Sequence, residues 1–305
     1  MTPLPRQRLT SPHKTACRAA ALLSLLLAAP VVAGQPAHAV SAGAATCGAD
    51  TPCVIDGGQY RIRFPDGWDG RTRLGAIVFL HGWNGSAEAE MKNRAWAALA
   101  NRLNVAFVAP QGAGNTWSYP GSPSSFRDEF AFFDTLVGDL VTRFPIRRDR
   151  LMAAGFSMGA SMVWNLACRR GDLFAGYAPV AGAFWDPVPQ TCPSQPPILF
   201  HVHGTTDRTV PLQGRSIDDQ WRQSDVAESL AVWQRQMGVP VIFPERKADS
   251  PALVCQRQES PDPKSAAMLD VCLHDGGHSV RAEWIARAWV QLAARMNWKD
   301  RPGAD

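Results

Sequence analysis

The sequence predicts an α/β fold: a mostly parallel, doubly wound sheet with helices on both faces. Two observations predict it. Five short runs are apolar throughout: "AIVFL" at 76–80, "VAFVAP" at 105–110, "LMAAGF" at 151–156, "GYAPVAGA" at 176–183 and "ILFHVHG" at 198–204. Strands apolar at every position are buried on both faces, as in a parallel sheet covered by helices. Segments of helical periodicity lie between these runs, and strands alternating with helices imply right-handed crossovers. In such a sheet the functional residues sit on loops at the carboxyl ends of the strands.

The elements follow in order. Arg6, Arg8, Lys14 and Arg18 precede the apolar run "AAALLSLLLAAPVVA" and the small residues of Ala37-His38-Ala39. A basic start, an apolar run too short to span a bilayer and a small-residue site read as a secretory signal peptide cleaved after Ala39. Residues 1–39 are therefore set apart, and 40–305 are expected to form one domain. Cys17 lies before the apolar run and Cys47 well beyond it, so neither reads as a lipid-anchor site, and no membrane anchor is expected. The segment from Cys53 to Pro65, including "YRIRF", alternates apolar and polar residues and reads as an edge strand feeding a hairpin. Ser86 is placed to cap a helix through "AEAEMKNRAWAALANRL", with Glu88 and Glu90 near its positive end. Further helices are expected from about Asp128 to Arg143, Met158 to Arg170, Asp218 to Met237 and Val280 to Asn297.

Composition excludes some functions. Basic residues number 31 and acidic ones 27, for a net charge of +4. Four of the basic residues, with no acidic ones, fall in the signal segment, so the mature chain is close to neutral. No basic stripe remains to grip a phosphate backbone, and nucleic acid is not an expected partner. Six of the seven cysteines survive signal removal, an even number in an oxidising compartment, so disulfides are expected. Six cysteines allow 15 pairings. Proximity favours Cys47 with Cys53, Cys168 with Cys192 and Cys255 with Cys272. No CxxC spacing points to zinc, and neither metal nor cofactor is expected.

The chemistry centres on "AAGFSMGASM" at 153–162. A GxSxG match alone is a weak signal. Here an apolar strand runs into it and a helix leaves it, so Ser157 sits on a strand-to-helix turn. On that turn a serine takes an unfavourable backbone conformation and its hydroxyl stands clear of the sheet. The Met158 N–H, at the helix's positive end, points where a substrate oxyanion would form. A serine hydroxyl is a poor nucleophile at neutral pH; it needs a base, and the base needs an orienting acid. His278, in "LHDGGHSV" between a strand and the last helix, is the base candidate, ahead of His274. Asp207, directly after "ILFHVHG", is the acid candidate; an Asx turn is its structural alternative, and Asp270 and Asp275 are rivals. His201 and His203 alternate within a strand and read as structural. In "FLHGWNGS" at 79–86 the chain turns after His81-Gly82, offering the Trp83 N–H as a second oxyanion donor. His81 itself reads as structural.

Together "LHGWNG", "RDEFAFFDTL", "GFSMGASM", "HGTTDRTVP" and "GGH" resemble the secreted esterase family of single-domain polyhydroxybutyrate depolymerases and feruloyl esterases, over residues 50–297. The resemblance implies an α/β-hydrolase fold, with Ser157 as nucleophile, Asp207 as acid and His278 as base. Asp128, which opens the second helix, reads as its cap. The chain departs from the family at Ser279-Val280-Arg281, where Thr-Trp-Pro is common. It departs again at Trp-Asn-Gly after His81-Gly82, where small residues or cysteine are common. Both departures border the acyl site and bear on the substrate. Trp83, Trp117, Tyr119 and Trp185 fall in loops near the strand ends, where they would clamp an aromatic ring or polyester chain, or else pack as a lid. The expected activity is hydrolysis of carboxylic esters, small or polymeric, by a secreted enzyme. An inactive carbohydrate-binding module, a transacylase and a peptidase are the alternatives, and the oligomeric state is left open.

Overall fold

A computed structural model describes residues 47–247 and 249–298, all within the compact unit Ala42–Asp305. The signal segment, its cleavage site and the start of the expected domain at residue 40 lie outside the described residues. In chain order the strands are β1 (Cys53–Ile55), β2 (Gly58–Arg63), β3 (Leu74–Leu80), β4 (Ala106–Pro110), β5 (Ile146–Phe156), β6 (Gly176–Val180), β7 (Ile198–Gly204), β8 (Arg215–Ile217), β9 (Trp221–Gln223), β10 (Leu253–Glu259) and β11 (Met268–His274). The helices are α1 (Ala87–Lys92), α2 (Arg94–Leu103), α3 (Glu129–Arg143), α4 (Met158–Arg169), α5 (Val226–Met237) and α6 (Ala282–Arg295).

Nine strands form one sheet in the order β1-β2-β4-β3-β5-β6-β7-β11-β10, with β8 and β9 paired apart from it. The central strands, from β4 through β3, β5, β6 and β7 to β11, run parallel. Antiparallel strands finish both edges. Every residue of β3, β4, β6, β7 and β11 is buried, so even His201 and His203 of β7 and Asp270 of β11 lie inside the fold.

The pleat of β3 sorts the core into two layers. Ala76, Val78 and Leu80 belong to a cluster that includes Phe132 and Leu136 of α3, Met162 and Val163 of α4, and Leu230 and Trp233 of α5. Ile77 and Phe79 belong to another, with Met91 of α1, Trp96 and Leu99 of α2, and Ile285 and Trp289 of α6. Alternate side chains of one strand point to opposite faces, so the two clusters are the two helix layers of a doubly wound sheet.

The cysteine pairs Cys47–Cys53, Cys168–Cys192 and Cys255–Cys272 are disulfides. The second ties the end of α4 to the loop before β7, and the third joins residues directly opposite in β10 and β11. Among the described residues no helix is long and apolar enough to cross a membrane.

Three local expectations are corrected. The helix read continuously from Ser86 is two helices, because Asn93 adopts an extended conformation and caps α2, its side chain accepting from the Ala95 N–H. Ser86 does cap α1, accepting from the Ala89 N–H. The helix expected from Asp218 starts at Val226, capped by Asp225; the stretch before it is the β8–β9 hairpin, turned by left-handed Asp218 and Asp219. The run "GYAPVAGA" is a strand only to Val180, since Ala181 takes a positive φ and ends it.

Candidate active site

Ser157 lies between the end of β5 and the start of α4 with φ 57° and ψ −122°, a region a non-glycine residue enters only when its surroundings hold it there. Its N–H donates to Val180 O at 3.0 Å and its carbonyl accepts from the Ser161 N–H at 3.0 Å. The turn is also clamped from the neighbouring strand: a Cβ on Gly159 would lie 2.2 Å from Leu80 O and 2.5 Å from His81 O. Only glycine permits that approach. The Ser157 hydroxyl is directed to His278 and not to the free amides at the start of α4, as a capping serine would be.

His278 Nε2 lies 2.9 Å from Ser157 Oγ, and His278 Nδ1 lies 2.7 Å from Asp207 Oδ2. A carboxylate can only accept, so Nδ1 carries the proton and Nε2 presents a lone pair to the serine hydroxyl. Asp207 divides its two oxygens. Oδ1 accepts the N–H groups of Thr209 and Val210, each at 2.8 Å, while Oδ2 receives His278. The Asx-turn and acid readings of Asp207 thus describe one side chain. Burial pushes this carboxyl up, but hydrogen bonds from His278 and the Val210 N–H, with the His278 and His203 charges, outweigh burial and hold it below its ordinary value.

The loops bearing acid and base are laced together. Thr205 N–H donates to His274 O at 2.9 Å and Thr206 N–H to Gly276 O at 3.2 Å. A Cβ on Gly204 would lie 2.2 Å from Gly276 O, so the close pairing of the loops depends on that glycine. The Phe156 ring packs 4.6 Å from the His278 ring. Phe156 and the two threonines were missed by sequence reasoning. Their signal was only adjacency to Ser157 and to "HGTTD".

The turn after β3 is built around His81. Its Nε2 accepts the Gly112 N–H at 3.1 Å and its Nδ1–H donates to Gly82 O at 2.8 Å; burial lowers its affinity for a second proton. Trp117 Nε1 donates to His81 O at 2.8 Å. Gly82 is close enough that a Cβ there would lie 3.4 Å from Ser157 Cβ, and Trp83 follows it. The Asn84 N–H continues the turn by donating to Asn115 O at 2.8 Å. Met158 is the first residue of α4, whose opening amides lack partners within the helix.

The expected aromatic clamp is corrected. Trp117 is fully buried, and Tyr119 and Trp185 are nearly so, which leaves no open faces for a ligand ring to stack on. Trp117 holds the His81 turn. Tyr119 donates its hydroxyl to Met158 Sδ at 3.1 Å, at the start of α4, and packs edge-on to Trp185, whose backbone bridges to Gln223. Trp83 is different: it follows Gly82, whose backbone approaches Ser157, and is 74% exposed, while Phe126 is 64% exposed. Phe126 packs over Gly114, next to the Asn115 carbonyl that anchors the Trp83 turn.

The rival residues have other partners. Asp270 is buried against Arg287 at 2.7 Å and Arg257 at 3.5 Å. Asp275 is exposed and pairs with Arg246 at 3.4 Å. His274 Nδ1 accepts the Gly276 N–H at 3.0 Å, shaping the loop that carries His278. Asp128 caps α3, accepting the N–H groups of Phe130 and Ala131. Among the described residues Cys255, Asp270 and Cys272 bring ligand-type atoms together, but both sulfurs are spent in their disulfide and do not fit a metal.

A nucleophile-type serine on a β5–α4 elbow, an acidic residue after β7 and a histidine after β11 define the class: this is an α/β-hydrolase fold. No family model matches the chain. It is 31% identical over 143 residues to a protein of Nocardia uniformis subsp. tsuyamanensis named as an esterase, a match covering 46% of this chain and 42% of that one. It is 28% identical over 167 residues to feruloyl esterase C of Emericella nidulans, covering 52% of this chain and 58% of the relative. The chain thus spans about half the length of the curated relatives it matches. Among solved structures, the acetyl xylan esterase from Aspergillus awamori matches with a TM-score of 0.52 at 14% identity, over 76% of this chain and 93% of that one, a likeness of fold. The chain has an α/β-hydrolase fold, and the curated relatives it resembles over part of their length are named as esterases.

Proposed function

We propose that this protein is a secreted serine esterase that hydrolyses carboxylic esters through an acyl-enzyme. The observation that carries this reading is the continuous hydrogen-bonded line from Ser157 Oγ through His278 to Asp207, at 2.9 and 2.7 Å. In the proposed reaction His278 takes the Ser157 proton as Oγ attacks the ester carbonyl, and Asp207 stabilises the imidazolium that forms. The N–H groups of Trp83 and Met158 receive the oxyanion. His278 returns its proton to the leaving alcohol, then activates a water that releases the acid and restores Ser157.

For the substrate we propose aryl or short-chain esters, with feruloyl-type esters and hydroxybutyrate oligomers as the two classes implied by the family resemblance. The exposed Trp83 ring, one residue beyond the turn that touches Ser157, supports a flat or extended apolar acyl group. Three disulfides support an oxidising, extracellular destination.

The test is a panel of nitrophenyl esters, methyl ferulate, acetylated xylan and hydroxybutyrate oligomers, with a fluorophosphonate probe for Ser157. Ser157→Ala is expected to lower turnover by roughly 10⁴–10⁶-fold and to abolish labelling. Undiminished turnover in Ser157→Ala sinks the proposal. A wild-type protein that neither labels nor turns over any ester would instead be a binding module on the same fold.

A further inference from the structure

Behind the acid lies a pair of imidazoles that the proposed reaction leaves unused. His201 and His203 are alternate residues of β7, on one face of the strand, and both are fully buried. His203 Nε2 lies 2.7 Å from Val210 O and 3.6 Å from Asp207 Oδ2. A carbonyl oxygen only accepts, so His203 carries a proton on Nε2. Burial pushes this imidazole down to about 4, with the Val210 carbonyl and the Asp207 charge opposing that shift, so at neutral pH the ring is uncharged. Its Nδ1 then presents a lone pair and needs a donor, which His201 Nε2 supplies at 3.1 Å. Burial holds His201 well below the ordinary value as well. The Val210 carbonyl thus fixes the tautomer of His203.

This pair closes on Asp207. The Val210 N–H donates to Asp207 Oδ1 at 2.8 Å while its carbonyl accepts from His203, so the peptide groups of Val210 are held on both sides. The Oδ2 that receives His278 is the same oxygen that faces His203 Nε2–H. Two buried imidazoles carry a desolvation cost that a pair of apolar side chains would avoid. The titratable groups around His203 are His201 on its own strand, Asp207 on the loop that follows, and His278 and His274 from the β11 side.

We propose that His203 is a positioning residue for the acid, aiming Asp207 at His278 through the Val210 peptide, with His201 partnering its Nδ1. The inference rests on the esterase reading of Ser157, Asp207 and His278. His203→Phe keeps a ring in the space but removes the one N–H, which donates to Val210 O and lies on the Asp207 side of the ring. With its carboxylate released, Asp207 stabilises the His278 imidazolium less. The transition state, which carries that imidazolium, then loses part of its support.

The test measures kcat per fluorophosphonate-labelled site, KM and the pH profile of kcat/KM with a nitrophenyl ester. His203→Phe is expected to lower kcat by about 10–100-fold, the scale seen when a hydrogen-bond partner behind a functional ligand is removed. KM should change less than about twofold, and the acid midpoint should move to lower pH. His203→Gln, whose amide N–H can reach the Val210 carbonyl, should recover most of kcat. An unchanged kcat per labelled site with an unchanged acid midpoint in His203→Phe overturns the inference, because a residue that only stabilises the fold changes the number of labelled sites and not their rate. Should His203→Phe not fold, His201→Phe decides. It leaves His203 in place without its Nδ1 donor, and wild-type kcat and midpoint there overturn the inference equally. Ser157→Ala separates the two levels: activity in that variant defeats the esterase reading, whereas an inactive Ser157→Ala beside unaffected histidine variants defeats only the role given to His203.

Discussion

Ser157 is held where a serine would not rest unaided. A non-glycine residue in so sparsely populated a backbone region costs about 1–3 kcal/mol, and the surroundings must offset that cost. They do so through the Val180 and Ser161 hydrogen bonds and the contact of Gly159 with the end of β3. A methyl group at position 159 meets backbone oxygens and not a flexible side chain, so relief requires moving α4 or β3. Gly159→Ala is expected to destabilise the fold by about 2 kcal/mol or more, within the range for overpacking at a site that cannot yield. It should also lower kcat more than KM, because the displaced turn carries Ser157 out of line with His278. Urea unfolding and nitrophenyl ester kinetics on one preparation check both, and a variant matching wild type in each would show that the turn tolerates the shift. The three residues that meet here were legible in the sequence because each sits on a short loop directly after or before an apolar run. The burial of Trp117, Tyr119 and Trp185 was not legible. Which face of a loop aromatic meets solvent is decided by β3, α4 and the hairpin before α5, all distant in sequence.

Elements were legible where periodicity and caps agree. The α3 segment shows this, since Asp128 precedes an apolar stripe through Phe132, Phe133, Leu136 and Leu140. Its carboxylate accepts two of the helix's unpaired N–H groups, and its negative charge lies at the positive helix end. Asp128→Ala is expected to cost about 1 kcal/mol in urea unfolding, the usual worth of such a cap, while kcat stays within about twofold of wild type. A large loss of kcat with stability intact would instead give Asp128 a part in the reaction. Elsewhere periodicity misled. Residues 87–103 keep a helical pattern through Asn93, but the Asn93 side chain competes with the helix by bonding the Ala95 N–H, and the axis breaks there. The stretch before α5 failed for the opposite reason. Its hairpin rests on two aspartates in the left-handed region, where a short polar side chain is tolerated and leaves little composition signal. β10 escaped notice because an edge strand with one solvent face alternates weakly, and its partner β11 supplies the register.

At the scale of the whole molecule, the histidines that build the site also set its response to acid. His81, His201 and His203 are fully buried, and in each burial disfavours the charged ring, so folded-state proton affinity lies below the ordinary value. Above about pH 6.5, the ordinary histidine value, these rings are neutral in both folded and unfolded chains and the stability they permit is complete. Below it the unfolded chain takes up protons that the folded chain refuses. Unfolding free energy then falls as pH falls, by up to about 1.4 kcal/mol per pH unit for each such histidine. For His203 the fall continues until its folded value of about 4 is reached. Asp207 acts in a lower window: its depressed carboxyl contributes stability above the ordinary carboxylate range and loses it only as pH drops through the folded value. Urea unfolding is therefore expected to give a flat stability from pH 8 to 7 and a steep decline between pH 6 and 4, and a flat curve down to pH 4.5 would refute it. The proposed base must also be neutral to act, so acid inactivation and acid unfolding have to be separated. If titration of His278 limits the rate, activity lost on a brief exposure to pH 5 returns at once at pH 7.5, and it is lost at temperatures well below the unfolding midpoint measured at pH 5. If unfolding limits it, the loss follows the unfolding midpoint and recovers only as fast as the chain refolds.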